Sequence, residues 1–233
     1  MGYPKSGNTW FQHLVAGAVF GVDVGLAPAG LVPMLVPDVD RRQFYRRYGP
    51  VAFFKSHHLP RPEYRKVVYL LRDGRDAMVS YRHHLEALRG NGSIDFLRIV
   101  ETGEGLFPCR WHDHVEAWER NPLGAEKLVI RYEDLKGDPV GELRRFCEFA
   151  GVGASDERLR TAVDNASFER MRDHEAEVAV HANPKWPADR PFFRRGEVGS
   201  FREEMPPDVL AAFLRQAGGT LRAAGYADVE AEA

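Results

Sequence analysis

Cysteine is scarce in this 233-residue chain. Cys109 and Cys147 stand far apart and outside any C-x-x-C pattern, which excludes a disulfide framework and a cysteine-rich zinc site and suits a reducing cytoplasm. No apolar run approaches the length of a membrane-spanning helix, and no secretory signal pattern is present. An excess of one charge is also missing: the formal net charge is −2, too small to steer the chain toward nucleic acid or an anionic membrane. Any anion site must be assembled locally. With 44% hydrophobic and 28% charged residues, the chain can bury one good-sized core, and a single α/β domain over 1–233 is expected.

What is present begins with Gly2-Tyr3-Pro4-Lys5-Ser6-Gly7-Asn8-Thr9-Trp10. Phe11, Leu14, Val15 and Val19 follow at helical spacing, which places Gly7 to Thr9 at a helix N-terminus, where unpaired backbone N–H groups and the helix dipole attract an anion. Gly2, Gly7 and Thr9 keep the separation of the nucleotide-triphosphate loop G-x-x-x-x-G-K-[ST], but Asn8 stands at the lysine position. A loop without that lysine is poorly equipped for a β/γ-phosphate and its magnesium, whereas Lys5, in mid-loop, can neutralise an oxygen nearer the rim. A plain Gly/Pro turn before an amphipathic helix is the competing reading. P-loops ordinarily follow a strand, yet only Met1 to Tyr3 stand ahead of this one, so the strand is expected to be trimmed or to lie upstream of this sequence.

Val51 to Phe54 reads as a short β-type run ending in Lys55-Ser56-His57-His58-Leu59-Pro60, and open α/β sheets place their chemistry just past such strand ends. His57 and His58 are both candidate bases there. Val67 to Leu71 reads as a central parallel strand covered on both faces, delivering Arg72 to the sheet edge. Asp73-Gly74-Arg75-Asp76 turns into a helix with Met78, Tyr81, Leu85 and Leu88 on one face; Arg72 and Ser80 make a candidate anion site, or else a capped helix beside a surface arginine. Leu128 to Ile130 is the next buried strand, followed by Tyr132 and a helix with Val140, Leu143, Cys147 and Ala150 inward. Arg194-Arg195-Gly196 offers a phosphate two guanidinium forks and a closely approachable N–H, or is a basic surface loop.

The remaining segments carry less chemistry. Gly25 to Pro37 reads as a loop, Arg41, Arg42, Arg46 and Arg47 as a solvated basic face, and Gly90-Asn91-Gly92 as a helix break. Phe107 and Trp111, beside a Gly103-Glu104-Gly105 loop, are expected near an acceptor pocket. His112 and His114, two apart on a helix, cannot both face one metal ion. Residues 175–200, interrupted by Pro184, Pro187 and Pro191, read as a long lid loop. Leu210, Phe213, Leu214, Ala217 and Leu221 describe an amphipathic helix before a frayed acidic tail.

Tyr3-Pro4-Lys5-Ser6-Gly7-Asn8-Thr9-Trp10 resembles the 5′-phosphosulfate loop of the cytosolic-type sulfotransferases, which use 3′-phosphoadenosine 5′-phosphosulfate (PAPS). The histidine segment resembles that family's Lys-Thr-His-Leu-Pro, with one residue extra: Lys-Ser-His aligns His57 as base and His-Leu-Pro aligns His58. Arg72-Asp73-Gly74-Arg75-Asp76-Ala77-Met78-Val79-Ser80-Tyr81 resembles the 3′-phosphate segment, and Arg194 to Phe201 resembles Arg-Lys-Gly-x-x-Gly-Asp-Trp-Lys, with Phe201 replacing the tryptophan. The segments follow the family's order from Tyr3 to Phe201.

The resemblance implies a P-loop-type parallel sheet flanked by helices, with PAPS across the strand ends and no metal. Lys5 falls to the bridging oxygen and, with Ser6, Gly7, Asn8 and Thr9, to the 5′-phosphate; Trp10, Tyr132, Ser167 and Phe168 fall to the adenine. Arg72, Ser80, Arg194, Arg195 and Gly196 fall to the 3′-phosphate. The implied reaction is transfer of a sulfuryl group to a hydroxyl or amine of a small acceptor, leaving adenosine 3′,5′-bisphosphate (PAP). A P-loop kinase and a non-catalytic nucleotide-binding module are the alternatives. The family's lysine-and-valine dimer motif is not evident, so oligomeric state and acceptor stay open.

Overall fold

Side chains alternate across the run Lys66–Leu71 (β1), and this alternation sets the layout of the molecule. Val67, Tyr69 and Leu71 point into one core with Met78, Trp111, Trp118, Phe213 and Leu221. Leu70 points the other way, into a second core with Leu14, Val15, Ile130, Leu143 and Leu159. A strand buried on both faces is what a continuous apolar run dictates in a parallel sheet. β1 pairs in parallel with Glu126–Arg131 (β2), Val68 opposite Leu128 and Leu70 opposite Ile130.

The computed structural model describes residues 1–226 except 29, 42–43, 91–93 and 184. Arg42, the expected break at Asn91-Gly92, Pro184 and the acidic tail lie outside the described residues. The helices, in chain order, are α1 (Asn8–Phe20), α2 (Val32–Leu35), α3 (Gly74–Arg89), α4 (Phe96–Thr102), α5 (Trp111–Arg120), α6 (Tyr132–Gly137), α7 (Pro139–Ala150), α8 (Asp156–Asn165), α9 (Phe168–Asp173), α10 (Glu175–Ala182), α11 (Phe201–Glu204) and α12 (Pro207–Ala223). Residues of α3, α5 and α12 pack on one face of the sheet and those of α1, α7 and α8 on the other. This is an α/β fold with a parallel sheet between helical layers.

The segment ahead of the glycine loop pairs with β1 in the manner of a strand. Met1 N–H donates to Val68 O at 2.7 Å, Leu70 N–H donates to Met1 O at 2.7 Å, and Gly2 bridges Leu70 in parallel. The loop therefore springs from the sheet edge beside β1.

Three expectations change. Val51 to Phe54 is not a strand of the sheet: Val51 and Phe54 are exposed, and among the described residues the ladder contact nearby is an isolated parallel bridge of Lys55 with Asp38. Lys55 N–H donates to Pro37 O and Val39 N–H to Lys55 O, so the segment pairs with the loop after α2. Residues 175–200 are not loop throughout, because α10 occupies the first eight before the irregular stretch. On α3 the inward face is Ala77, Met78 and Tyr81, while Leu88 is exposed.

Candidate active site

The glycine loop is shaped by its own polar groups. Ser6 N–H donates to Tyr3 O at 3.2 Å, and Asn8 Nδ2 donates to the same oxygen at 2.8 Å. Asn8, standing where a nucleotide-triphosphate loop has lysine, thus spends its side chain on holding the turn. Gly7 caps α1 at φ 86°, and a Cβ there would lie 2.8 Å from the Tyr132 ring, so only glycine fits. Lys5 also has a positive φ, 70°, a conformation uncommon outside glycine and one that clusters at ligand clamps. Helix geometry leaves the N–H groups of Asn8, Thr9 and Trp10 without i−4 partners. Ser6 is a correction: its N–H is taken, its Oγ is buried, and it does not line the cavity in front of the loop.

Cations converge on that cavity. Burial, and after it the charges of Arg72, Lys55 and Arg194, bring the Lys5 pKa down to about 8. Arg72 lies over the Tyr132 ring at 4.2 Å and donates at 2.9 Å to the carbonyls of both Lys5 and Glu197, with its Nε buried and without a partner among the described residues. It ties the glycine loop to the Arg-Gly segment. Arg194 pairs with Glu204, whereas Arg195 is half exposed, its nearest carboxylate oxygen 3.6 Å away. Gly196 has φ 65°, and a Cβ there would strike the Phe168 ring.

Asp76 brings this last segment to the site. Fully buried near the start of α3, it accepts from Gly199 N–H at 2.6 Å, Ser200 Oγ at 3.2 Å and Phe201 N–H at 2.9 Å. One carboxylate thereby satisfies donors at the entrance of α11 and aligns residues 194–199 with α3.

The two histidines separate. His57 lines the cavity and places Nδ1 2.7 Å from the carbonyl oxygen of Gly2. A carbonyl only accepts, so Nδ1 carries the proton and Nε2 keeps a free lone pair. Burial, and then the charge of Lys55, hold the His57 pKa down to about 3. His58 is turned away: its Nε2 lies 2.6 Å from Asp40, its Nδ1 3.0 Å from the Tyr64 hydroxyl, and it does not line the cavity. The backbone of the pair is held from α5, where His114 Nε2 donates to His57 O at 3.0 Å and Trp118 Nε1 to His58 O at 3.1 Å. His114, set aside above as a metal ligand, is thus a buried strut, its Nδ1 facing the Tyr69 hydroxyl at 2.9 Å.

The cavity holds about 660 Å³. At one end Trp10, Tyr132 and Phe168 make an aromatic box with Lys136 beside it, and Ser80 joins the lining. Ser167 does not; it sits at the N-terminus of α9, its carbonyl bonded to Met171 N–H. At the other end stand Tyr81, His84, Phe107, Trp186, Phe192 and Phe193. Of the expected acceptor residues Phe107 lines the cavity, whereas Trp111 is core, donating to Arg72 O at 3.2 Å.

Sequence reasoning did not single out Lys55, Asp38, Asp40, His84 or Trp186 as site residues, though all line the cavity. Lys55 had a signal in its place two residues before His57; the others had none. Asp38, Asp40 and His57 present ligand atoms within 4.8 Å of one another, but Lys55 lies 3.2 Å from Asp38 and His58 2.6 Å from Asp40, so both carboxylates already face a nitrogen of a neighbouring side chain.

Residues 1–218 match the model of the sulfotransferase domain family. The chain is 27% identical over 225 residues to rabbit (Oryctolagus cuniculus) sulfotransferase 1C2, covering 86% of this chain and 74% of that protein. It is 27% identical over 228 residues to sulfotransferase 1B1 of Mus musculus, with the same coverage. Among solved structures, mouse sulfotransferase SULT7A1 complexed with PAP aligns at TM-score 0.58 and 26% identity over 69% of this chain and 60% of that one. Retinol dehydratase in a complex with retinol and PAP shares the fold at TM-score 0.67 and 21% identity, over 95% of this chain and 80% of that one. With a sulfotransferase model matching nearly its whole length and an anion-ready loop, paired arginines and a free imidazole nitrogen around one cavity, the chain belongs to the sulfotransferase domain family.

Proposed function

We propose that this sulfotransferase moves the sulfuryl group of PAPS in line to a hydroxyl of a small-molecule acceptor, with His57 as base and Lys5 on the departing oxygen. The observation that carries this reading is the convergence of Lys5, Lys55, Arg72 and Arg194 on one cavity, a cost in like-charge repulsion that an anionic ligand relieves.

PAPS supplies the sulfuryl group and leaves as PAP. The residues do the rest: His57 Nε2 takes the acceptor's proton as the new S–O bond forms, and Lys5 neutralises the phosphate oxygen released as the old one breaks. The free N–H groups of Asn8, Thr9 and Trp10 hold the 5′-phosphate, the Trp10–Tyr132–Phe168 box takes the adenine, and Ser80, Arg194, Arg195 and Gly196 take the 3′-phosphate with Arg72 behind them. The buried Nε of Arg72, without a partner among the described residues, supports an anion beside it.

The two free cysteines suit a reducing, cytoplasmic setting. Among the described residues no helix is long and apolar enough to cross a membrane.

A thermal-shift comparison tests the cofactor: PAP is expected to raise Tm and ATP with magnesium to leave it near the unliganded value. The reverse order would restore the kinase reading. Incubating the protein with PAPS and a panel of phenols, alcohols and amines, read by mass spectrometry for the added sulfuryl group, tests the transfer, and a PAP-binding protein that sulfates nothing would be a binding module.

A further inference from the structure

His84 is a polar residue in an aromatic place. It follows Ser80 by one turn on α3 and lines the cavity, its ring stacked on Trp186 with centroids 5.2 Å apart and planes at 22°. Tyr81 meets the imidazole edge-on at 6.2 Å, and Phe192 meets Trp186 edge-on at 5.2 Å. Lys5 Nζ lies 5.5 Å from the centre of that same Phe192 ring, so one wall of flat faces runs from the transfer point to His84.

Yet the imidazole makes no hydrogen bond among the described residues; its Nδ1 is shut off from solvent, which leaves Nε2 as the nitrogen a ligand in the cavity can reach. A phenylalanine would fill the space without leaving a polar atom unpaired, and unpaired buried polar atoms in a folded protein call for a partner. Burial, and then the charges of Lys5 and Arg41, hold the ring neutral, with a pKa brought down to about 3.

We propose that His84 marks a polar subsite of the acceptor pocket, where its imidazole hydrogen-bonds a second hydroxyl on a planar aromatic acceptor whose first hydroxyl is the one sulfated. The flat wall selects a planar ring. A hydroxyl both donates and accepts, so it suits either tautomer of a neutral imidazole, and the nearby Lys5 and Arg41 disfavour a cationic group. The ligand class is a fused or single aromatic ring bearing two hydroxyls on opposite sides. The inference rests on this cavity being the acceptor and cofactor site.

The experiment uses the PAP-saturated protein and two matched compounds, 2-naphthol and 2,7-dihydroxynaphthalene, titrated by calorimetry. The wild type is expected to bind the diol about tenfold more tightly, beyond the twofold statistical gain of a symmetric ligand, as one added neutral hydrogen bond gives. In His84→Phe the preference should fall to the statistical twofold, and His84→Gln, which keeps a donor and an acceptor, should retain part of it. Equal affinities in the wild type, a full preference surviving in His84→Phe, no binding of either compound, or tighter binding of 7-hydroxy-2-naphthoate or 7-amino-2-naphthol than of the diol would each overturn the subsite. PAP-induced stabilisation is the separate check: its absence from the wild type would overturn the cofactor reading, whereas its presence without diol preference overturns the subsite alone. His84→Phe should keep that PAP shift.

Discussion

His57 donates its Nδ1–H to the carbonyl oxygen of Gly2 at 2.7 Å, so the base and the root of the phosphate loop form one hydrogen-bonded unit. That bond fixes the tautomer, and the buried ring's low pKa keeps Nε2 unprotonated far below neutral pH. His57→Ala is expected to lower turnover by about 10²- to 10⁴-fold, the usual worth of a positioned base. His58→Ala should retain most of the turnover and lose stability instead, because Asp40 and Tyr64 each lose one partner. Turnover and Tm of both variants check this, and a dead but stable His58→Ala beside an active His57→Ala would reverse the roles. The acid limb of kcat/KM in the wild type should lie well below 6.5, since burial holds the base of the free enzyme down to about 3.

Lys5→Ala should cost turnover about a hundredfold or more, as other lost transition-state donors do, and PAP affinity less. The lysine is held in a left-handed conformation at mid-loop, facing the cavity. Single-turnover rates alongside PAP titrations separate the two effects, and an unchanged rate would remove Lys5 from the mechanism.

The arginines should divide by structural cost. Arg195 is half exposed and loosely paired, so Arg195→Ala should weaken the preference for PAP over adenosine 5′-monophosphate while leaving Tm in place. Arg72 bridges two backbone segments, so Arg72→Ala should lose the same preference and lower Tm as well. If both variants select the 3′-phosphate at full strength, the pocket for it lies elsewhere.

The parts of this architecture that could be read in advance are those with a long, local signal. The period of Phe11, Leu14, Val15 and Val19 marks α1, and the unbroken apolar runs at Val67–Leu71 and Leu128–Ile130 mark the strands, because burial on one or both faces writes itself into spacing. Val51 to Phe54 misleads, since β-type residues alone do not say what a segment pairs with; here the pairing with the loop at Pro37–Val39 is made by Lys55, just past the run. α10 is missed because Glu175-Ala176-Glu177-Val178-Ala179-Val180-His181-Ala182 sets alanine and valine side by side with no polar face at helical spacing, so it has little helical contrast. The ties that assemble the site, Asp76 to Gly199 and His114 to His57, join residues 123 and 57 positions apart, and a tertiary hydrogen bond leaves no mark on either neighbourhood. The same holds for His84 on Trp186, which only the fold brings together.

Buried neutral histidines make the protein acid-sensitive. His13, His57, His84 and His114 all have pKa values lowered, chiefly by burial, to about 4, 3, 3 and 4. Between the unfolded value near 6.5 and those folded values, the unfolded chain binds protons that the folded chain refuses, so the stability falls as pH falls through this window. Each histidine contributes at most about 1.4 kcal/mol per pH unit, and Asp38, whose pKa is lowered with Lys55 beside it, adds the same sign at the acid end. Asp40 and Glu133, raised by burial, oppose it there, because the folded chain holds their protons longer. The net expectation is a stability that drops most steeply from pH 6.5 to 4.5, where the histidines act before most carboxylates titrate, with Lys5, held down to about 8, giving a slope of the same sign in the alkaline range. Urea unfolding at half-unit steps from pH 8 to 4.5 measures it. His84→Phe, which removes one of the four groups, should make the slope shallower, and a wild-type stability that stays flat down to pH 5 would mean these rings open to solvent and protonate in the folded state.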